Sequence, residues 1–210
     1  MKTCIDLCCG LKGFSQAFAE DPNWEVITVD IERKFKPTIQ ADVRFLPLRQ
    51  GLMPDVLLMS PPCERFSRAS FGRGNTGFPN KGIRLACEIV GACLEATVEL
   101  DAKRWLLENP LARLRYIIGT PDHTIYYSEY GSEFLKPTDL WGNIPLPMVQ
   151  AVKRQKKNWM IDADYASLSL DERGKIRHRE WTKKTKSNAA ERAKVPYGLS
   201  KAVKISVENN

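Results

Sequence analysis

The chain has 210 residues, of which 43% are hydrophobic, and its formal net charge at pH 7 is +7. This length allows one core of ordinary size with a small appended segment, and it excludes two full domains. No stretch of about 18 uncharged apolar residues occurs and no apolar signal region follows Met1, which excludes a membrane-spanning protein and predicts a soluble, cytoplasmic one.

Strand-like and helix-like segments alternate along the chain. Short apolar runs rich in β-branched residues predict strands, and apolar residues that recur every three or four positions predict helices. The predicted strands are residues 3–7, 25–31, 55–59, 105–107 and 124–128, and the predicted helices are residues 14–19, 83–100 and 111–118. This alternation predicts a doubly wound, mostly parallel α/β sheet with right-handed crossovers.

The first predicted strand runs into a glycine turn, residues 6–15 (DLCCGLKGFS). Its two glycines allow a tight turn and a close approach of a ligand to the backbone, but the Lys-Ser/Thr ending of a phosphate loop is absent. Asp30 ends the second strand, where a nucleoside-binding sheet places a carboxylate for the ribose hydroxyls. Asp42 follows and suits an adenine amino group. These residues together predict an adenosine site without phosphate ligands.

The third predicted strand delivers Cys63 on a loop that begins Ser60-Pro61-Pro62. Ligands bind at the carboxyl ends of strands in such sheets, and a cysteine held there on a proline-stiffened backbone is a candidate nucleophile. The alternative is a core thiol, because free cysteine is among the most buried residue types. A glycine-containing stretch that follows, residues 71–80, is expected to form a lid.

Glu108 follows the fourth predicted strand and is expected at the same edge of the sheet as Cys63. Beside a base removed from its stack, its carboxyl group suits ring and exocyclic nitrogens. The alternative is a surface glutamate that caps the next helix near Pro110.

The positive charge is concentrated in residues 144–194, which hold thirteen Lys or Arg and six Asp or Glu, while the rest of the chain is neutral. Basic clusters near tryptophans favour nucleic-acid binding, and the alternative is a solvated charged surface. The basic residues of this segment that we expect to contact nucleic acid are Lys153, Arg154, Lys156, Lys157, Arg177, Arg179, Lys183 and Lys184.

The cysteines give no sign of disulfides or metal binding. Without an export signal the six thiols are expected to stay reduced. Cys87 and Cys93 have no partner histidine at a zinc-ligand spacing, so no metal site is predicted. Cys4, Cys87 and Cys93 are interpreted as core residues.

Taken together, these segments resemble the cytosine-5 DNA methyltransferase family. Residues 6–15 match the family's first cofactor motif, residues 61–67 (PPCERFS) match its Pro-Cys motif, and Glu108-Asn109 matches its Glu-Asn motif. Two looser matches are Tyr130-Gly131, which begins like the family's arginine-bearing motif, and residues 195–200, where the family's closing helix belongs. The matches keep the family's linear order over nearly the whole chain.

The resemblance implies a Rossmann-like, class I methyltransferase fold and methyl transfer from S-adenosylmethionine to carbon 5 of a flipped cytosine in double-stranded DNA, with S-adenosylhomocysteine as product. It implies a covalent intermediate on Cys63. The residues to which it assigns base chemistry are Cys63, Glu108 and Lys136. The residues to which it assigns cofactor binding are Asp6, Cys8, Gly10, Gly13, Phe14, Asp30, Asp42 and Pro61. Arg65 and Arg68 are the cations nearest to Cys63 in sequence and are expected to face the nucleic acid.

The implied domain organisation has three parts. Residues 1–143 are expected to form the catalytic and cofactor-binding domain, residues 144–194 a small basic DNA-recognition segment, and residues 195–210 an element that returns to the catalytic domain.

Several positions depart from the family pattern. Cys8 stands where an aromatic residue is usual, Glu64 where Gln is usual, and Pro110 where Val is usual. The Gln-x-Arg-x-Arg element after Tyr130-Gly131 is absent, and Lys136 is the only cation between residues 130 and 143. Lys136 is therefore the expected replacement for the arginine that contacts the base, although lysine offers a point charge and not a planar fork.

Three alternative functions stay open at this stage. They are an RNA cytosine-5 methyltransferase of the transfer-RNA type, a catalytically idle relative that binds nucleic acid, and a small-molecule methyltransferase, which would leave the basic segment unexplained. The sequence also leaves open the recognition sequence, the oligomeric state, and whether the role is in restriction-modification, in a virus or as an orphan modifier.

Overall fold

A computed structural model describes residues 1–66, 82–146 and 193–209. The strands are β1 Lys2–Leu7, β2 Trp24–Asp30, β3 Ile39–Gln40, β4 Val56–Met59, β5 Trp105–Pro110, β6 His123–Tyr126 and β7 Pro137–Gly142. The helices are α1 Gln16–Ala19, α2 Ile83–Glu99, α3 Arg115–Ile118 and α4 Tyr197–Asn209, and short 3-10 helices occupy Arg33–Phe35, Val43–Phe45 and Tyr127–Tyr130.

The strands of the described residues form one sheet in the order β3-β2-β1-β4-β5-β7-β6. Neighbours among the first five strands pair in parallel, whereas β7 runs antiparallel to both β5 and β6. The predicted fold class, a doubly wound and mostly parallel α/β sheet, is confirmed.

The sequence did not reveal β7. This strand begins with Pro137 and contains Asp139 and Gly142, residue types that are depleted in strands. The structure accommodates them because the proline is the first residue of the strand and the buried Asp139 carboxylate pairs with Arg115 at 2.9 Å. The strand predicted over residues 124–128 also ends earlier, at Tyr126, where a 3-10 helix begins.

One face of the sheet packs on α2. Leu7, Met59 and Leu107 are fully buried on this face and share a core with Val90 and Cys93 of the helix. Because side chains alternate along a strand, the neighbouring residues of β1 and β5, including Asp6 and Glu108, point to the opposite face. The core interpretation holds fully for Cys4 and Cys93, whereas Cys87 is half-buried.

The opposite face is covered by α1 and the C-terminal helix α4, which contact each other. The buried hydroxyl of Ser200 in α4 donates to the Phe14 carbonyl at 2.6 Å and accepts from the Ala17 amide at 3.0 Å. This one side chain therefore ties the end of the chain to the turn that follows β1. The predicted division into three domains stays a prediction, because the basic segment lies almost wholly outside the described residues.

Within the described ranges, no helix has both the length and the apolar composition needed to span a membrane.

Gly13 lies where the turn after β1 meets the backbone of Val195. A β-carbon added at Gly13 would lie closer to the Val195 carbonyl oxygen than van der Waals contact allows, whereas one added at Gly91 in α2 would meet nothing within 4 Å. Gly13→Ala is therefore expected to lower the free energy of unfolding by about 1–3 kcal/mol through overpacking. The control Gly91→Ala is expected to raise it by up to about 1 kcal/mol, since alanine suits a helix better than glycine.

Urea denaturation of both variants tests this expectation. Equal unfolding midpoints for Gly13→Ala and the unchanged protein would contradict the close approach of the two backbone segments.

Candidate active site

The candidate site lies at the carboxyl ends of the central strands. The sheet order reverses between β1 and β4, since β2 and β3 lie beyond β1 while β5 lies beyond β4. Open α/β sheets bind ligands at such a switch point. The glycine turn leaves β1 here and the Cys63 loop leaves β4, and the Ser60 amide donates to the Leu7 carbonyl at 3.1 Å between them.

The loop that carries Cys63 is fixed at several points. The buried amide of Asn109 donates to the Pro61 carbonyl at 3.0 Å, which links the loop to the end of β5. The Phe66 amide donates to the Cys63 carbonyl at 3.0 Å and closes a turn, and the Phe66 carbonyl in turn accepts from the Arg113 amide at 3.2 Å. Phe66 itself is fully buried. Cys63 is thus half-exposed on a rigid turn, as a positioned nucleophile requires.

Two charged side chains act on the pKa of Cys63: Glu108, which lies in β5, and Lys136, which lies between β6 and β7. Burial raises the pKa of Cys63 above its ordinary value, and the negative charge of Glu108 raises it further. The positive charge of Lys136 opposes both effects. The structure therefore brings all three residues with predicted base chemistry within electrostatic reach of one another.

Glu108 is buried and its contacts converge on one oxygen. The Tyr127 hydroxyl donates to Oε1 of Glu108 at 2.7 Å, and the Lys136 ammonium lies 3.3 Å from the same atom. The ammonium is also 3.3 Å from the Tyr127 hydroxyl and 4.4 Å from the centre of the tyrosine ring. The surface interpretation of Glu108 as a helix cap is therefore wrong.

The turn after β1 is organised by Asp30. One carboxylate oxygen of Asp30 accepts from the Gly10 amide at 2.9 Å and the other accepts from the Glu32 amide at 2.8 Å. Gly10 has a positive φ of 48°, a conformation that costs glycine least. A carboxylate has about four acceptor sites, so Asp30 keeps capacity for ligand hydroxyls.

Three buried polar atoms at this edge have no hydrogen-bond partner among the described residues: Asp6 Oδ1, Ser60 Oγ and Asn109 Oδ1. They come from the carboxyl ends of three adjacent strands. The other oxygen of Asp6 accepts from the Ser15 hydroxyl at 2.6 Å. Burial raises the pKa of Asp6 to about 7, which the Ser15 hydrogen bond only partly offsets. Unpaired buried acceptors are costly, so this edge fits a polar ligand with a cationic or N–H donor group.

No family model matches the chain. A curated relative, the "Probable DNA (cytosine-5)-methyltransferase" of Frog virus 3 (isolate Goorha), is 29% identical over 154 residues, which cover 67% of this chain and 70% of the relative. The resemblance to cytosine-5 DNA methyltransferases is confirmed.

Two solved structures are also similar to the chain. One is a candidate DNA modification methyltransferase encoded within an E. coli prophage, at 18% identity and a TM-score of 0.46, covering 68% of this chain. The chain spans only 46% of that protein. The other, a human methyltransferase 10 domain containing protein, has 10% identity and a TM-score of 0.37, with 67% of this chain and 71% of that chain covered.

Not every position that matches the methyltransferase motifs presents its side chain to this edge. The Cys8 thiol contacts Cys93 of α2, and this contact together with burial raises the pKa of Cys8. Phe14 is 1% exposed and belongs to the core. Asp42 caps a 3-10 helix and pairs with Arg44 at 2.6 Å, which lowers the pKa of Asp42. Their contacts to a cofactor stay predictions.

Most of the residues predicted to contact DNA lie outside the described residues. Arg65 is described, and its guanidinium lies beside Gly82, at the start of α2. The others fall outside the described ranges, as does the predicted lid over residues 71–80: they are Arg68, Lys153, Arg154, Lys156, Lys157, Arg177, Arg179, Lys183 and Lys184.

Sequence reasoning missed Tyr127. The residue lies in a segment that reads as the end of a strand, and its role depends on the long-range pairing of β6 with β7. The only signal in the sequence was an aromatic residue with a hydroxyl group close to Lys136. Within the described ranges, no cluster of three or more His, Cys, Asp or Glu side chains could hold a metal ion.

Proposed function

We propose that this protein transfers a methyl group from S-adenosylmethionine to carbon 5 of cytosine in double-stranded DNA. The observation that carries the proposal is the shared electrostatic cluster of Cys63, Glu108 and Lys136 at the switch point of the sheet. A thiol and a carboxyl group side by side suit the two positions at which a cytosine ring is activated: the thiolate adds to carbon 6, and the carboxyl group binds ring nitrogen 3. The viral relative supports cytosine and DNA as the target.

S-Adenosylmethionine fits the residues at the end of β1. Its ammonium group suits the unpaired oxygen of Asp6, and its ribose hydroxyls suit the remaining acceptor capacity of Asp30. The turn at Gly10, where an added β-carbon would meet nothing within 4 Å, leaves room for its methionine portion. Gly13 packs against Val195 instead, and its contact with the cofactor stays a prediction. When bound, this cofactor supplies an electrophilic methyl group.

The residues of the chain activate the base by covalent addition. The Cys63 thiolate forms a bond to carbon 6, the electron pair of the C5–C6 double bond moves toward carbon 5, and Glu108 holds ring nitrogen 3 by a shared proton. Carbon 5 is then the nucleophile. After carbon 5 has gained the methyl group, its proton leaves to solvent, the double bond re-forms, and Cys63 departs as thiolate.

The charges around Cys63 make the ionisation of its thiol depend on whether cytosine is bound. In the free protein, burial and the charge of Glu108 keep the Cys63 thiol protonated. When cytosine binds, Glu108 takes up a proton from solvent and shares it with ring nitrogen 3, so the negative charge beside Cys63 is weakened while the positive charge of Lys136 persists. The Cys63 thiol releases its own proton to solvent. The thiolate is thus favoured when cytosine is in place, and the resting thiol is protected from side reactions.

A duplex that contains 5-fluorocytosine tests the proposal. Fluorine at carbon 5 cannot leave as a proton, so the enzyme and DNA should stay joined after denaturation when S-adenosylmethionine is present, and peptide mapping should place the bond on Cys63. The matched control is the same duplex with ordinary cytosine, which should be methylated and released.

Transfer RNA that contains 5-fluorocytidine is assayed in parallel. An adduct with RNA alone would move the function to the RNA branch. Absence of adduct and of methyl transfer with both polymers, across varied sequences, would refute cytosine methylation and leave a nucleic-acid-binding relative.

A further inference from the structure

Tyr127 is a residue of the site that none of the matched motifs contains. It is 1% exposed and follows directly on β6, where its amide donates to the Lys136 carbonyl at 3.0 Å. This bond continues the β6–β7 ladder by one step beyond the Tyr126–Pro137 pair. Tyr127 and Lys136 are therefore cross-strand neighbours, and both side chains reach Glu108.

The hydrogen bonds of this cluster are asymmetric. Tyr127 and Lys136 both contact Oε1 of Glu108, at 2.7 and 3.3 Å. Within the described residues, neither makes a comparable contact with Oε2. Two donors therefore occupy Oε1, and Oε2 is the oxygen of this carboxyl group that is left to face a ligand.

The tyrosine remains a donor under all ordinary conditions. Burial raises the pKa of Tyr127 well above its ordinary value, and the nearby charge of Glu108 acts in the same direction. The Lys136 ammonium lies 4.4 Å from the centre of the ring, a cation–π contact that helps to hold the ring in place. The 2.7 Å contact is thus an O–H donated to a carboxylate, which is among the stronger hydrogen bonds in proteins.

We propose that Tyr127 is a positioning residue that holds Glu108 by Oε1, so that Oε2 carries the shared proton and faces ring nitrogen 3 of the target cytosine. This inference rests on the proposed function. Tyr127 does not touch the base. It fixes the rotamer of Glu108 and decides which of its two oxygens exchanges the proton. Lys136 alone cannot do this, because a flexible ammonium sets charge but little direction.

The test compares Tyr127→Phe with Tyr130→Phe. Tyr130 is a buried tyrosine of the same 3-10 helix, and its hydroxyl is not among the groups that contact Glu108 in the described residues. Tyr127→Phe is expected to lower kcat by about 10- to 100-fold with little change in KM for DNA, since the lost contact orients a group that acts in the transition state. Tyr130→Phe is expected to stay within about twofold of the unchanged protein in both constants.

A double variant shows whether Tyr127 acts through Glu108. Adding Tyr127→Phe to Glu108→Gln is expected to cause no further loss of residual kcat, because both changes disable one unit. Adding Tyr130→Phe serves as the matched control. If Tyr127→Phe lowers kcat equally in both backgrounds, the tyrosine acts elsewhere and the proposal is overturned.

If Tyr127→Phe does not fold, 3-fluorotyrosine placed at position 127 replaces it, since this analogue keeps the shape and acidifies the hydroxyl. Its expected effect is an altered dependence of kcat on pH, whereas the same analogue at position 130 leaves that dependence unchanged. Identical profiles at both positions overturn the proposal. Methylation by the unchanged protein is measured first: its absence refutes the proposed function and this inference with it, whereas its presence with equal rates for both tyrosine variants refutes the inference alone.

Discussion

Cys63→Ser is expected to abolish methyl transfer while the protein stays folded and still binds S-adenosylmethionine. A serine hydroxyl is far less acidic than a thiol and is a weak nucleophile without an adjacent base, so the rate should fall by at least about 10³-fold. The side chain is half-exposed and the turn around it is held by backbone and Asn109 hydrogen bonds, which the substitution leaves in place. Transfer of a radioactive methyl group to DNA measures the rate.

Cys87→Ser is the matched control, since Cys87 is half-buried on the outer part of α2 and is not a member of the electrostatic cluster. It should keep the full rate. Thermal unfolding and calorimetric binding of S-adenosylmethionine establish that both variants are intact. Retention of more than a tenth of the rate by folded Cys63→Ser, or an equal loss in both variants, would contradict the covalent route.

The position of Cys63 and Glu108 was accessible from the sequence because each follows a short, continuous apolar run. Such runs are typical of buried parallel strands, whose carboxyl ends meet at one edge. The structure has β4 and β5 as neighbours, with Met59 opposite Leu107, so the residues that follow them are neighbours too. Local pattern and topology were sufficient for this part of the site.

The Tyr127–Lys136–Glu108 arrangement was not accessible in the same way. It depends on β7 lying antiparallel between β5 and β6, and β7 has a weak local signal because of Pro137, Asp139 and Gly142. Its stability comes from tertiary partners such as the Arg115–Asp139 pair, which single-sequence patterns do not contain. The Asp42 contacts were not accessible either: its spacing predicts an adenine contact, which stays a prediction, and gives no sign that its carboxylate caps a local turn and pairs with Arg44.

Glu108→Gln and Lys136→Met are expected to change the reactivity of Cys63 in opposite directions. The charge of Glu108 raises the pKa of Cys63, so Glu108→Gln should lower that pKa and increase the thiolate fraction at pH 8. Lys136 lowers the pKa of Cys63, so Lys136→Met should raise it further and decrease the thiolate fraction. Because burial contributes most, each change should alter the alkylation rate by about three- to tenfold.

Iodoacetamide labelling from pH 6 to 10, followed by peptide mass spectrometry, measures this rate at Cys63 and at Cys87 within the same sample. Only burial raises the pKa of Cys87, so its rate should be the same in all variants and serves as the internal control. Glu133→Gln, at an exposed glutamate, controls for the loss of one negative charge.

Methylation should follow a different order from alkylation, and this difference separates the two roles of Glu108. Glu108→Gln should have the most reactive Cys63 and yet the lowest methyl transfer, because a glutamine amide can donate a hydrogen bond to ring nitrogen 3 but cannot transfer a proton to it. If Glu108→Gln instead left the alkylation rate of Cys63 unchanged, the carboxylate would not control the pKa of the thiol. The proposal that Cys63 ionises only when cytosine is bound would then be wrong.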